Sequence, residues 1–216
     1  MTLETKYKNY YLRRSGLKGI YGDILLQNIF KHKPRNFLEI GVYTGVTAIN
    51  VCRLLEFINK KDFSYVGIDL FEDFLKNNLI DEVAPLSNYS KIYFNNPIKN
   101  FFIRFMGREL NSYESVNKFL NKFNENIKLY KGKSSEVLKK IDLKNINYIF
   151  LDGGHSFETV YSDLNIIYSK ASKSTVIFCD DYNLRNSGVQ KAIDTFVNNK
   201  KLSFEIIEKR FVEIII

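Results

Sequence analysis

Short apolar runs alternate with apolar residues at helical spacing along this chain, and that alternation is what most narrows its fold. Residues 36–41 (NFLEIG) and 65–70 (YVGIDL) read as short buried strands, one ending in a glycine turn and the other carrying an acid at its C-terminal end. Between them Val46, Ile49, Cys52 and Leu55 fall at helical spacing. Residues 126–130, 147–151 and 175–179 are three further runs of the same kind. Phe157, Val160, Tyr161, Leu164 and Tyr168 then give a helix one apolar face, and Val189, Ala192, Ile193, Phe196 and Val197 repeat that signal. The chain closes with apolar runs 204–207 and 211–216 around charged Glu208, Lys209 and Arg210, the pattern of a β-hairpin. Strands alternating with helices predict an α/β fold of right-handed βαβ units, a mostly parallel sheet with helices on both faces. The hairpin adds an antiparallel edge. Ligands of such sheets bind beyond the C-terminal ends of the strands, where the strand order reverses. Chemistry is therefore expected just after Ile40, Ile68, Leu151 and Cys179.

A chain of 216 residues fits one domain, 1–216, with an N-terminal arm at 1–21. The segment between the second and third strand runs is too long for one crossover helix. A helical pattern at 113–123 fills its last part. Residues 71–110 remain as an insertion rich in aromatics, with Arg104 and Arg108 among them. Insertions after a strand's C-terminal end lie over the site, so this one reads as a substrate lid. A helical dimerisation or packing element, which would make the chain a homo-oligomer, is the equal alternative. No apolar stretch reaches the ~18 residues of a membrane span, and the charged N-terminus has no secretory pattern. Cys52 and Cys179, the only cysteines, each sit in an apolar run, as buried thiols of a cytoplasmic protein would. The net charge is +8, but its cations are interleaved with acids. Even the densest cluster, Lys6, Lys8, Arg13, Arg14 and Lys18, reads as solvated surface and not as a nucleic-acid groove.

The chemistry-bearing residues fall where the topology predicts. Glu39, Gly41, Tyr43 and Gly45 belong to a strand ending in E-x-G-x-x-x-G. Its glycines would turn the backbone sharply and bring it close to a ligand. The spacing is not the G-x-G-x-x-G that cradles a pyrophosphate, so a ligand without phosphates fits better than a nicotinamide dinucleotide. Asp69 ends the second strand, where an acid accepts hydrogen bonds from ribose hydroxyls. Asp152-Gly153-Gly154-His155 follows the fourth strand and Asp180-Asp181 the fifth. Clustered carboxylates repel unless a positive charge joins them, and a hard divalent cation such as Mg²⁺ or Mn²⁺ would do so. His155 can accept a proton near neutral pH. Helix capping by Asp152 and Asp180 is the simpler alternative. His32, between lysines, reads as a surface residue.

Together the runs FLEIGVYTGVT, GIDLF, YKGKSSEVL, YIFLDGGHSFETVYSDL, VIFCDDYN and GVQKAIDTF resemble the class I methyltransferases of the catechol O-methyltransferase-like group. Within it, the small bacterial branch that includes metal-dependent sugar O-methyltransferases is most similar. The likeness spans about residues 22–70 and 126–200. It implies a Rossmann-like sheet and S-adenosylmethionine as cofactor. Glu39, Gly41, Tyr43 and Gly45 would then line the methionine part, Asp69 hold the ribose, and Ser134 lie near the adenine. Asp152, Asp180 and Asp181 match the magnesium ligands, the last being Asn in the catechol enzymes. Those enzymes place a lysine base after the first ligand. Gly-Gly-His stands there in this chain, which makes His155 the expected base and an aliphatic hydroxyl, such as a sugar's, the expected acceptor. The rival readings are an RNA methyltransferase without metal, a nicotinamide oxidoreductase and a non-catalytic cofactor-binding protein.

Overall fold

The computed structural model describes residues 3–10, 13–17, 19–71, 110–184 and 188–216. In chain order the elements are α1 (Ile20–His32), β1 (Asn36–Ile40), α2 (Val46–Asn59), β2 (Ser64–Asp69), α3 (Tyr113–Phe119), β3 (Ile127–Lys131) and α4 (Ser134–Lys140). They continue with β4 (Tyr148–Leu151), α5 (Phe157–Lys170), β5 (Val176–Cys179), α6 (Val189–Lys200), β6 (Phe204–Ile207) and β7 (Phe211–Ile215). The seven strands form one sheet in the order β3-β2-β1-β4-β5-β7-β6. Pairing is parallel from β3 to β5 and antiparallel at β7 and β6, as the sequence pattern predicts. The insertion 71–110 lies almost wholly outside the described residues, at 72–109. The helical pattern at 113–123 resolves into α3 and a separate 3₁₀ turn, Asn121–Phe123.

Strand alternation sorts the core by chemistry. One face carries an aromatic ladder that crosses five strands: Tyr65, Phe37, Tyr148, Phe178 and Phe211, with successive ring centroids 5.9, 5.2, 6.2 and 4.8 Å apart. Helices α1 and α2 cover it with Leu25, Leu26, Ile29, Val51 and Leu55. The opposite face is aliphatic, with Leu38, Ile149, Ile177 and Val212 packed under α4, α5 and α6. Burial on both faces explains why the central strands read as continuous apolar runs. Glu39 is the exception, wholly buried in the middle strand of the parallel part. No helix among the described residues is long and apolar enough to cross a membrane. Cys52 and Cys179 are buried and unbridged.

Two polar residues expected at the surface are engaged instead. His32 reaches Glu213 on β7 at 3.1 Å, beside Asn28 and Lys31. Arg13, in the basic N-terminal cluster, donates to the carbonyls of Thr44, Leu110 and Ser115 and to Ser115 Oγ, all at 2.8–2.9 Å. Its guanidinium also lies over the Phe119 ring. The arm is held further back by Tyr7, whose N–H donates to Asp23 and whose hydroxyl meets Ser15 and Thr47. The Tyr7 ring lies against Gly22 of α1, where an added Cβ would fall 2.3 Å from the ring's Cγ. Gly22→Ala should therefore loosen the arm without disturbing the sheet. Losing about 1.4 kcal/mol of docking would make trypsin cut after Arg13 or Arg14 about tenfold faster. Cleavage at the wild-type rate would show that the ring can move aside at no cost.

Candidate active site

The strand order reverses between β1 and β4, and the loops that follow those two strands touch there. Gly41 adopts φ +98°, and a Cβ on it would lie 1.9 Å from the Asp152 carbonyl oxygen. Asp152 N–H in turn donates to the Ile40 carbonyl at 2.8 Å. The neighbouring backbone alone thus requires a glycine at this position. Gly45, at φ +80°, starts α2 against Val116 and Phe119.

Around that contact the predicted cofactor residues gather on β1, β2 and their loops. Tyr43, itself at φ +51°, donates its N–H to Asp69 Oδ2 at 2.7 Å, and Phe71 N–H reaches Asp69 Oδ1 at 2.5 Å. Burial pushes the Asp69 carboxyl above the usual range, against the pull of these and neighbouring backbone N–H groups. Each of its oxygens has two lone pairs, so capacity remains for ribose hydroxyls. Glu39 accepts a hydrogen bond from the Tyr65 hydroxyl through Oε2, while its buried Oε1 has no partner among the described residues. Burial raises its carboxyl to about 8. An orphaned buried acceptor of this kind suits a cation such as the ammonium of an amino-acid ligand. Ser134 opens α4, beyond β3, which pairs with β2 next to Asp69.

The second cluster follows β4 and β5. One carboxylate oxygen each from Asp152, Asp180 and Asp181 lies within 4.8 Å of the others. These three and Gly153, Gly154 and His155 line a small cavity. All three donors are hard oxygens, the set that suits Mg²⁺ or Mn²⁺. None of them caps a helix. Ser156 caps α5 by accepting from Thr159 N–H, and Gly188 stands at the start of α6 with no side-chain cap. His155 Nε2 lies 3.0 Å from Asp181 Oδ2. Its loop is locked because the His155 carbonyl accepts from Gly188 N–H at 2.7 Å, where a side chain on residue 188 would strike the Phe157 backbone.

Arg210, in the charged turn between β6 and β7, brings a positive charge to the cluster. Its Nε and Nη2 reach both oxygens of Asp180, at 2.5 and 2.7 Å, and Nη2 lies 3.5 Å from Asp181 Oδ1. Burial and the Asp180 and Asp181 charges hold the Asp152 carboxyl well above its ordinary range. Burial also raises Asp180, opposed by the Arg210 hydrogen bonds. For Asp181 burial is outweighed by His155 and Arg210, and its carboxyl sits lower than usual. Only the position of Arg210 before a strand adjoining β5 could have flagged it, and that adjacency requires the topology.

A family model described as "Methyltransferase domain" matches residues 38–182. No curated protein matches the chain. Among solved structures, the O-methyltransferase NovP is similar at a TM-score of 0.64 and 16% identity, covering 91% of this chain and 81% of that one. The calicheamicin-biosynthesis enzyme CalS11, described as a TDP-rhamnose 3'-O-methyltransferase, gives 0.56 and 11%, covering 89% and 77%. The O-methyltransferase TomG from Streptomyces achromogenes, in complex with SAM, gives 0.58 and 13%, covering 93% and 81%. At these identities the likeness shows a shared fold.

Glu39 supplies a prediction independent of any substrate. Its folded-state carboxyl binds a proton up to about 8, whereas the ordinary value is 4.5. The folded state therefore holds more protons than the unfolded one across that window, and stability falls as pH rises through it. Glu39→Gln should raise Tm by a few degrees at pH 8 and by much less at pH 5 in thermal melts. A mutant equally stabilised at both values would mean the carboxyl is not desolvated.

Proposed function

This chain belongs to the methyltransferase-domain family, and on that premise we propose that it is an S-adenosylmethionine-dependent, divalent-metal-assisted O-methyltransferase of small molecules. The observation that carries the reading is the contact between Gly41 and Asp152. It sets the loop after β1 against the carboxylate cluster after β4 and β5, which supports a methyl donor held on one side and a hydroxyl acceptor on the other. Glu39, Gly41, Tyr43 and Gly45 would face the amino-acid part of the cofactor, Asp69 its ribose hydroxyls and Ser134 its adenine. S-adenosylmethionine supplies a methyl group on a sulfonium, an electrophile that needs no further activation.

Asp152, Asp180 and Asp181 would hold the Mg²⁺ or Mn²⁺. Such an ion, when bound, lowers the proton affinity of a hydroxyl oxygen beside it. His155 would take the acceptor's proton. Its Nε2 already faces Asp181, and its loop is fixed by Gly188, so the imidazole stays at the cluster's edge. Holding oxygen, methyl carbon and sulfur in line supplies much of the remaining rate. The Gly-Gly-His run and the sugar O-methyltransferase among the structural neighbours support an aliphatic hydroxyl, with a sugar as the first class to try. Arg13 and Arg210 are spent on internal contacts, which weakens the case for a nucleic-acid substrate. The reduced, buried thiols suit a cytoplasmic setting.

Calorimetry should detect S-adenosylhomocysteine binding and no binding of NAD. Asp69→Ala should weaken that binding by about 1–3 kcal/mol, the scale of hydrogen bonds to a charged acceptor. Unchanged affinity in the mutant would remove Asp69 from the site. With a sugar acceptor in hand, EDTA should abolish turnover and Mg²⁺ or Mn²⁺ restore it. His155→Ala should lower turnover by about 10²–10⁴-fold at intact cofactor affinity. A chelated enzyme at full rate would sink the metal reading, and a fully active His155→Ala would sink the base.

A further inference from the structure

Three features among the described residues stand beside this chemistry: the recess that Glu4, Lys6 and Lys8 of the arm line with Asn50 and Arg53 of α2, the Glu213 network at β7, and Arg210. Only at Arg210 do geometry and charge point to one specific role. Its backbone is pinned on both sides, with N–H donating to the Ile207 carbonyl at 3.1 Å and its carbonyl accepting from Tyr182 N–H at 2.9 Å. Its guanidinium lies over the Tyr21 ring, 4.7 Å from the centroid. Stacked and pinned in this way, the fork meets the two oxygens of Asp180, a side chain with no exposed surface.

We propose that Arg210 is a positioning residue for the divalent cation, holding the Asp180 carboxylate in one fixed orientation. This rests on the reading of Asp152, Asp180 and Asp181 as the cation's ligands. A bidentate guanidinium takes one lone pair on each carboxylate oxygen and leaves the other free for an ion. Without the fork, three crowded carboxylates would turn apart, and an ion would first have to undo that arrangement. A lysine at 210 would restore the charge as a point, without orienting both oxygens.

The opposite role, a resident cation that an ion must displace, predicts the opposite sign. The experiment measures Mn²⁺ affinity of the whole chain by calorimetry and by paramagnetic resonance of the free ion. Arg210→Ala should bind Mn²⁺ about 10–100-fold more weakly, the usual cost of removing a partner that orients a metal ligand. Arg210→Lys should fall between the mutant and the wild type, with S-adenosylhomocysteine affinity unchanged in both. Equal or tighter Mn²⁺ binding by Arg210→Ala overturns the proposal, as does a parallel loss of S-adenosylhomocysteine binding. Should Arg210→Ala not fold, Arg210→Lys decides alone, and wild-type Mn²⁺ affinity in it is the overturning result. A wild-type chain that binds no Mn²⁺ is a separate outcome, which removes the divalent-cation reading and this role together.

Discussion

Everything at the catalytic end of this molecule depends on a missing methyl group. The Gly41 backbone runs so close to the Asp152 carbonyl that no side chain fits between them, and its positive φ closes the position to most other residues. That contact joins the first loop of one half of the sheet to the first loop of the other. It fixes how far the Glu39–Asp69 side of the crevice stands from the Asp152–Asp181 side. In an open α/β sheet the reversal of strand order creates a crevice. Here the glycine sets its width.

The same region is an electrostatic problem solved in three ways. Burial raises the Glu39 carboxyl, and Tyr65 donates to one of its oxygens. Asp69 is supported by backbone N–H groups, chiefly those of Tyr43 and Phe71. The triad after β4 and β5 has a guanidinium brought from the terminal hairpin. Each device leaves acceptor capacity unspent, and buried acceptor capacity is what binds cations and hydroxyls. The aromatic ladder beneath gives a rigid floor, because a densely packed interior does not deform continuously.

Much of this was readable from the residues alone, for a physical reason. Strands buried on both faces must be apolar runs, and chemistry must follow their C-terminal ends, so 36–41, 65–70, 147–151 and 175–179 marked both the sheet and the acids beyond it. What could not be read was pairing across the chain. Arg210 follows charged Glu208 and Lys209 in a hairpin turn, where a solvated side chain is the ordinary expectation. Its partner became visible only when β7 was seen to lie beside β5. Arg13 and His32 were hidden likewise, because neighbours in sequence say nothing about a carbonyl or carboxylate far along the chain. Gly41 was recognised as special, but the backbone that requires it lies on another strand's loop.

The Arg13 clasp imposes an order of events on the chain as it is made. Arg13 is synthesised before its acceptors, which lie 31, 97 and 102 positions later. Until Leu110 and Ser115 have emerged, that guanidinium has only the Thr44 carbonyl to meet, and the clasp stays incomplete. Closure of so long a loop carries a large sequence separation, the kind of contact that forms late in folding. The arm is thus a closing latch: its engagement reports that Leu110 and α3 have come home.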